Sequence, residues 1–291
     1  MKLGAIDVGS NAIRLLMADV KKNAGIQQYV KIAYLRLPVR LGDDVFEKGQ
    51  ITPSKADRLV LGMKIFKAML DLYEIADYRA VATSAMRDSK NSGKIQSTIY
   101  KKTGIRLNII SGKEEAELVY LPLRFFNALE NNCLLVDVGG GSTEITFFRQ
   151  NEILASESFQ IGSVRLFTNR VVRSEWARMR NWLVSKILPL SPTRAFGLGG
   201  TINSVHKMNE NMSKEPVSIH QLNDLIGEMK GLSVEERLQR FRIKEDRADV
   251  IVPAMEIYVM VLETIGLMEI HVPKMGLADG VLLDLYQKIN G

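Results

Sequence analysis

The sequence predicts an α/β protein made of two duplicated domains. Each domain opens on a strand–turn–strand unit and continues with alternating helices and strands. Two observations carry this. The chain starts LGAIDVGSNAIRLLMADV, and a later stretch, Leu134 to Phe148, reads LLVDVGGGSTEITFF. Both pass from an apolar strand through Asp-Val-Gly and small polar residues into a second apolar strand, a hairpin signature. Asp7 therefore matches Asp137, and Gly9 matches Gly139. The second observation is the order of elements, since three strands followed by alternating helix and strand occur twice. A length of 291 residues holds one large or two medium domains. Copies this far apart are not a solenoid, whose period is much shorter. NALENN at 127–132 is polar and turn-prone, which sets the expected domains at 1–129 and 130–291.

The elements follow in order. After the first hairpin, residues 26–38 read as a third strand. SKADRLVLGMKIFKAMLDLYEI has helical apolar spacing and starts at Ser54 as N-cap, just after Pro53. YRAVAT is a strand, KIQSTIYKKTG a helix ending at Gly104, IRLNII a strand and SGKEEAELVYLPLRFF a helix. The second half has strands at 133–138, 143–149 and 152–161 and a helix at 174–188. RAFGLG is a strand and a helix starts at Thr201. DRADVIVPAMEIYVMVLETIG is a long apolar helix, EIHVP a short strand, and 279–289 a last helix whose apolar face is expected to be buried, with packing back against the first domain as one option.

Composition narrows the chemistry. The single Cys133 rules out an internal disulfide framework and points to a reducing, cytoplasmic setting. No apolar stretch reaches transmembrane length, and the N-terminal apolar run is too short for a signal peptide. Membrane and nucleic acid are not expected partners. His206, His220 and His271 are scattered, so a metal would be a hard, oxygen-bound ion. A net charge of +6 and a pI near 9.3 fit an anionic partner.

The glycines suggest which anion. Phosphate needs several N–H donors, and backbone supplies them best where no Cβ intervenes. Gly139, Gly140, Gly141, Ser142 and Thr143 form one candidate loop, and Gly9, Ser10 and Asn11 the other. FGLGGTINSV adds a third Gly-rich turn at a helix N-terminus. Arg14, Arg40, Arg87 and Arg165 lie at strand ends or in loops, where a guanidinium can clasp phosphate.

Two adjacent glutamates divide the work. Ser111 and Glu114 have capping-box spacing, which gives Glu114 a structural task. Glu115 has none, and a carboxylate near bound phosphate suits a general base for water. Asp137 and Glu144 flank the second loop and suit Mg²⁺, with Asp7 as a third candidate.

GAIDVGSNAIRLL, VRLGDDVFEKGQIT, AVATSAMRDSKN, ISGKEEAELVY, VDVGGGSTEI, QIGSVRL, FGLGGT, DRADVIVPA and GLADGVLLDL occur in this order. The ordered set resembles the exopolyphosphatase / guanosine pentaphosphate phosphatase family over nearly the whole chain. The resemblance implies two duplicated ribonuclease H-like (actin/Hsp70-like) domains with an inter-domain cleft. It implies Glu115 as base assisted by Arg87, phosphate on Gly140, Gly141 and Ser142, and metal at Asp137 and Glu144. The chain is similar to the short, two-domain members, and it has Ala278-Asp279 where relatives commonly have Arg-Glu. The expected reaction is Mg²⁺-dependent release of terminal phosphate from inorganic polyphosphate. Guanosine pentaphosphate is the alternative substrate, and a small-molecule kinase or a non-catalytic sensor are the competing classes. Closure of the two domains on substrate is a further expectation, and a homodimer is one option for the oligomeric state.

Overall fold

A computed structural model describes residues 1–23, 26–125, 132–150, 152–208 and 215–290. It divides into two compact units. One is Met1–Phe125 together with Gly276–Gly291, and the other is Phe126–Met275.

The first unit contains β1 (Lys2–Val8), β2 (Ala12–Asn23), β3 (Ile26–Pro38), α1 (Leu41–Lys48) and α2 (Pro53–Leu72). It continues with β4 (Asp77–Ala82), α3 (Ser84–Asp88), α4 (Ser92–Thr103), β5 (Leu107–Ile109) and α5 (Gly112–Phe125). Its five strands form one sheet in the order β3-β2-β1-β4-β5. β1, β2 and β3 are antiparallel neighbours, whereas β4 and β5 run parallel to β1. Parallel neighbours need crossover helices, which is why α2 intervenes before β4 and α3 and α4 before β5.

The second unit contains β6 (Cys133–Val138), β7 (Thr143–Arg149), β8 (Glu152–Phe159), α6 (Ser163–Phe167), α7 (Arg173–Trp182), β9 (Arg194–Leu198) and α8 (Gly200–Met208). Then come β10 (Val217–Ser218), α9 (Ile219–Lys230), α10 (Val234–Arg240), α11 (Ile251–Ile265) and β11 (Glu269–Ile270). The sheet order is β8-β7-β6-β9. Again the first three strands are antiparallel and the fourth is parallel to the first. The duplication expected from the two Asp-Val-Gly segments is present in both sheets. α11 is apolar on most of its surface because it runs through the core of this unit, with Tyr258 among the largest fully buried side chains.

Several elements differ from the sequence reading. The last helix, α12 (Leu277–Asn290), belongs to the first unit, not to a domain spanning 130–291. It packs on α5 and the β1–β2–β4 face. The N-cap of α2 is Thr52 rather than Ser54, because Pro53 takes the first helical position, where its missing N–H is harmless. β5 is shorter than the expected 105–110. The helix expected at 174–188 leaves α geometry after Trp182, with a π turn over Leu183–Ile187 and a 3-10 turn carrying Pro189. α1, α3, α6, α9 and α10 were not anticipated. α9 was legible, since Ser218 and Gln221 form a complete capping box. The expected 127–132 boundary falls almost wholly outside the described residues.

Candidate active site

The two hairpin loops are built alike. Gly9 donates to the Ala12 carbonyl at 3.1 Å, and Gly139 donates to the Ser142 carbonyl at 2.9 Å. Each loop joins a facing pair, Val8–Ile13 in one unit and Val138–Thr143 in the other.

Each loop is then gripped by the segment after the third strand. The Ser10 carbonyl accepts from Gly42 N–H at 2.8 Å and the Asn11 carbonyl from Arg40 N–H at 2.9 Å, both at the start of α1. In the second unit the Gly139 carbonyl accepts from Ser163 N–H at 3.0 Å. The Gly140 carbonyl accepts from Val164 and Arg165 N–H at 2.9 and 3.0 Å. The Gly141 carbonyl accepts from Arg165 Nε at 2.9 Å. A trans peptide directs its N–H opposite its C=O. Anchoring these carbonyls therefore turns the N–H groups of Asn11 and Ala12, and of Gly140, Gly141 and Ser142, away from α1 and α6. Successive backbone donors presented by a loop in this way suit phosphate oxygens.

The Gly run is not there for left-handed backbone. Among the described residues the glycines at positive φ are Gly49, Gly104, Gly199 and Gly266. Close approach instead accounts for a glycine outside the run. A Cβ on Gly162 would stand 2.5 Å from the Gly140 and Gly141 backbone, so Gly162 lets α6 touch the loop. Gly42, in the first turn of α1, lies close to the other loop, where its Cβ would stand 3.1 Å from Ser10 Cβ.

The side chains of the two loops differ. Ser10 Oγ hydrogen-bonds Ser84 Oγ at 2.8 Å, and Thr143 donates its hydroxyl to the Ile161 carbonyl at 2.6 Å. Both hydroxyls thus have structural partners, and the Arg165 guanidinium braces the loop carbonyl. Arg40 caps the start of α1 and pairs with Asp43 at 2.8 Å.

One cross-strand position separates the units chemically. Asp7 faces Arg14 on β1 and β2, and the buried carboxylate pairs with the partly exposed guanidinium. At the equivalent place in the second unit Asp137 faces Glu144. Ser158 donates to Glu144 Oε1 at 2.8 Å, and Glu144 is buried. Two carboxylates on facing positions concentrate negative charge, and like charges directly opposite are unfavourable without a cation. Gly199, just past the end of β9, crowds this spot, with φ at 107° and a Cβ position 3.3 Å from Asp137 Oδ1. Tyr258 packs behind it and donates to the Leu198 carbonyl. Burial, with the nearby Asp137 charge, pushes the Tyr258 hydroxyl well above its ordinary pKa.

An oxygen-only pair suits Mg²⁺, which keeps several waters and uses one or two carboxylates plus substrate oxygens. Asp137 and Glu144 fit that ion. Asp7 fits it less well, because Arg14 already offsets its charge.

Glu115 and Arg87 meet in the first unit. Glu115 lies in the first turn of α5 and is 8% exposed. Arg87 Nη1 donates to the Ile110 carbonyl at 2.8 Å and lies 3.5 Å from Glu115 Oε2, an ion-pair distance. Glu114 is occupied differently than its spacing suggests. Ser111 Oγ accepts from Glu114 N–H at 3.1 Å, so half the capping box forms. The Glu114 carboxylate turns instead to Arg79 at 2.6 Å, because a guanidinium is a stronger partner than a backbone N–H.

A family model described as the Ppx/GppA phosphatase family matches residues 20–289 of this chain. Exopolyphosphatase 2 of Mycobacterium tuberculosis is 28% identical, over 98% of this chain and 98% of its own. Exopolyphosphatase 1 of Mycobacterium leprae is 25% identical, over 97% of this chain and 89% of its own. A crystal structure of an exopolyphosphatase from Cytophaga hutchinsonii superposes with a TM-score of 0.85 at 28% identity, over 99% and 98% of the two chains. The Aquifex aeolicus member of the Ppx/GppA family superposes at 0.80 with 26% identity, over 100% and 99%. The actin/Hsp70-like arrangement expected from the resemblance is the fold of this chain.

Proposed function

Because the chain belongs to the Ppx/GppA phosphatase family, we propose that it removes the terminal phosphate of inorganic polyphosphate, with Glu115 as general base and Mg²⁺ as cofactor. The chain is a phosphoanhydride hydrolase by that membership. The observation that carries the residue assignment is the division between two adjacent glutamates. Glu114 is half-buried and tied to Arg79, whereas Glu115 is buried beside Arg87.

Each group has a task in this reading. The outward N–H groups of the two loops hold phosphate oxygens. Arg87 fixes the Glu115 carboxylate and adds positive charge where the transferred phosphoryl group is most negative. Glu115 takes a proton from water as the water oxygen bonds to phosphorus. The bridging P–O bond breaks, and the shortened chain leaves with that oxygen. Mg²⁺ held by Asp137 and Glu144 would neutralise phosphate charge.

Glu115→Gln keeps size and hydrogen bonding but removes the base. It should leave the fold unchanged and lower kcat by about two to four orders of magnitude. Near-normal turnover in this variant would take Glu115 out of the mechanism. The substrate preference rests on the net charge of +6 and the dispersed arginines, which suit a polyanion without a base to read. Parallel assays against guanosine pentaphosphate test it, and a clear preference for the nucleotide would reverse it. Phosphate release should also fall with added salt as ion pairs are screened.

A further inference from the structure

The Asp137–Glu144 pair continues onto a third strand. Glu144 faces Asp137 on β6 and Ser158 on β8. Facing residues of neighbouring strands point to the same side of a sheet. The three side chains therefore form one row across β6, β7 and β8. Ser158 ends the row by donating its hydroxyl to Glu144 Oε1 at 2.8 Å. The terminal torsion of a glutamate is broad, so a free carboxylate swings through many orientations. A serine has one proton to donate, and here it goes to the carboxylate and fixes it.

Ser158 is itself held from α7. Arg178 Nη2 donates to the Ser158 carbonyl at 2.8 Å, and the guanidinium lies over the Phe159 ring at 4.4 Å from its centroid. Gln160 N–H donates to Glu175 of the same helix at 3.1 Å. Glu175 and Glu157 in turn pair with Arg178 at 3.0 and 2.7 Å. β8 is the edge strand of its sheet among the described residues, and α7 ties down three consecutive residues at its end. Strand ends without such ties fray. Resting on the reading of Asp137 and Glu144 as the Mg²⁺ pair, we propose that Ser158 is a positioning residue for that site. Its hydroxyl holds Glu144 in the orientation seen here, and Arg178 holds Ser158. Loss of an outer partner of this kind typically costs about ten- to a hundredfold in metal affinity.

Calorimetric titration of the full chain with Mg²⁺ alone, without substrate, tests this. Ser158→Ala should raise the Mg²⁺ Kd about ten- to a hundredfold. Ser158→Thr keeps a hydroxyl on a residue that suits a strand, and it should bind Mg²⁺ like the wild type. Thermal melts without Mg²⁺ separate positioning from a purely structural role. A hydroxyl that only satisfied a buried carboxylate would lower the melting temperature of Ser158→Ala and leave the Kd where it was. If the alanine variant does not fold, Ser158→Val against Ser158→Thr makes the same comparison at matched shape. A hydroxyl-free variant with the wild-type Kd overturns the proposal and leaves the Mg²⁺ pair standing. A wild-type chain that binds no Mg²⁺ overturns the pair itself, and the role of Ser158 falls with it.

Discussion

Gly280 of α12 lies so close to Leu118 of α5 that a Cβ built on Gly280 would stand 1.7 Å from the Leu118 carbonyl oxygen. The neighbour is helix backbone, so it cannot move aside as a flexible side chain would. α5 carries Glu115 one turn upstream, and Arg79 joins Glu114 of α5 to Asp284 of α12. The last helix therefore sets the position of the helix that holds the proposed base. Gly280→Ala should lower stability by about 1–3 kcal/mol through overpacking. It should also lower kcat more than it changes KM, because α5 shifts while the phosphate loops do not. Thermal melts and steady-state kinetics check both.

Gly162→Ala addresses the second loop. The Gly162 φ of −142° suits any residue, so the substitution acts only through contact with the loop. Its Cβ would meet backbone atoms of Gly140 and Gly141 at 2.5 Å and push the loop off α6. A displacement of about 1 Å at a positioned site can cost about a hundredfold in rate. We expect a fall in kcat/KM of that order. Equal kinetics in the variant would remove the loop from phosphate binding.

The facing Asp137 and Glu144 predict that Mg²⁺ binds without substrate. A ligand that binds only the folded state raises stability with its concentration. Millimolar Mg²⁺ should raise the melting temperature of the wild-type chain. It should not do so when Asp137→Asn and Glu144→Gln are combined. Asp7→Asn should keep the Mg²⁺ response, since Asp7 pairs with Arg14.

Asp44 predicts an acid-sensitive contribution to stability. Burial alone would raise its pKa, but hydrogen bonds from Thr52 and the Lys55 charge outweigh it and hold the carboxyl below its ordinary value. A folded pKa below the unfolded one stabilises the protein fully above the unfolded value, about 3.9. That contribution is lost as pH falls through the folded value. Asp44→Asn should therefore lower the melting temperature at neutral pH and make less difference near pH 3. An equal deficit at both pH values would show that the effect is not the charge.

The sheets were legible because their signal is local. β6 and β7 were read at their observed bounds, and so was β3. Apolar runs that stop at Asp-Val-Gly define a strand end whatever packs around it. α1 and α6 are too short to show a helical period, and they were missed. They are the elements that grip the loops, so the need for a glycine at 162 was missed with them. The close approach belongs to Gly162, far from the run in sequence.

Among the site residues, Asp7 and Asp137 looked equivalent from the repeat, and as backbone positions they are. Their chemistry depends on the residue across the hairpin, Arg14 in one case and Glu144 in the other. Those two partners stand in plain view in the sequence, yet only the strand register says that they face the aspartates. The choice between Glu114 and Glu115 came from helix capping and from spacing to Asp137; in the structure the two carboxylates have different partners, for a reason other than capping. Arg79, not the Ser111 N–H, occupies the Glu114 carboxylate. Sequence determined the strands and the duplication, since these follow from residue type and short spacing. Tertiary structure decided which unit holds α12, which loop carbonyls are anchored and which charges are paired, because each depends on atoms brought together from distant parts of the chain.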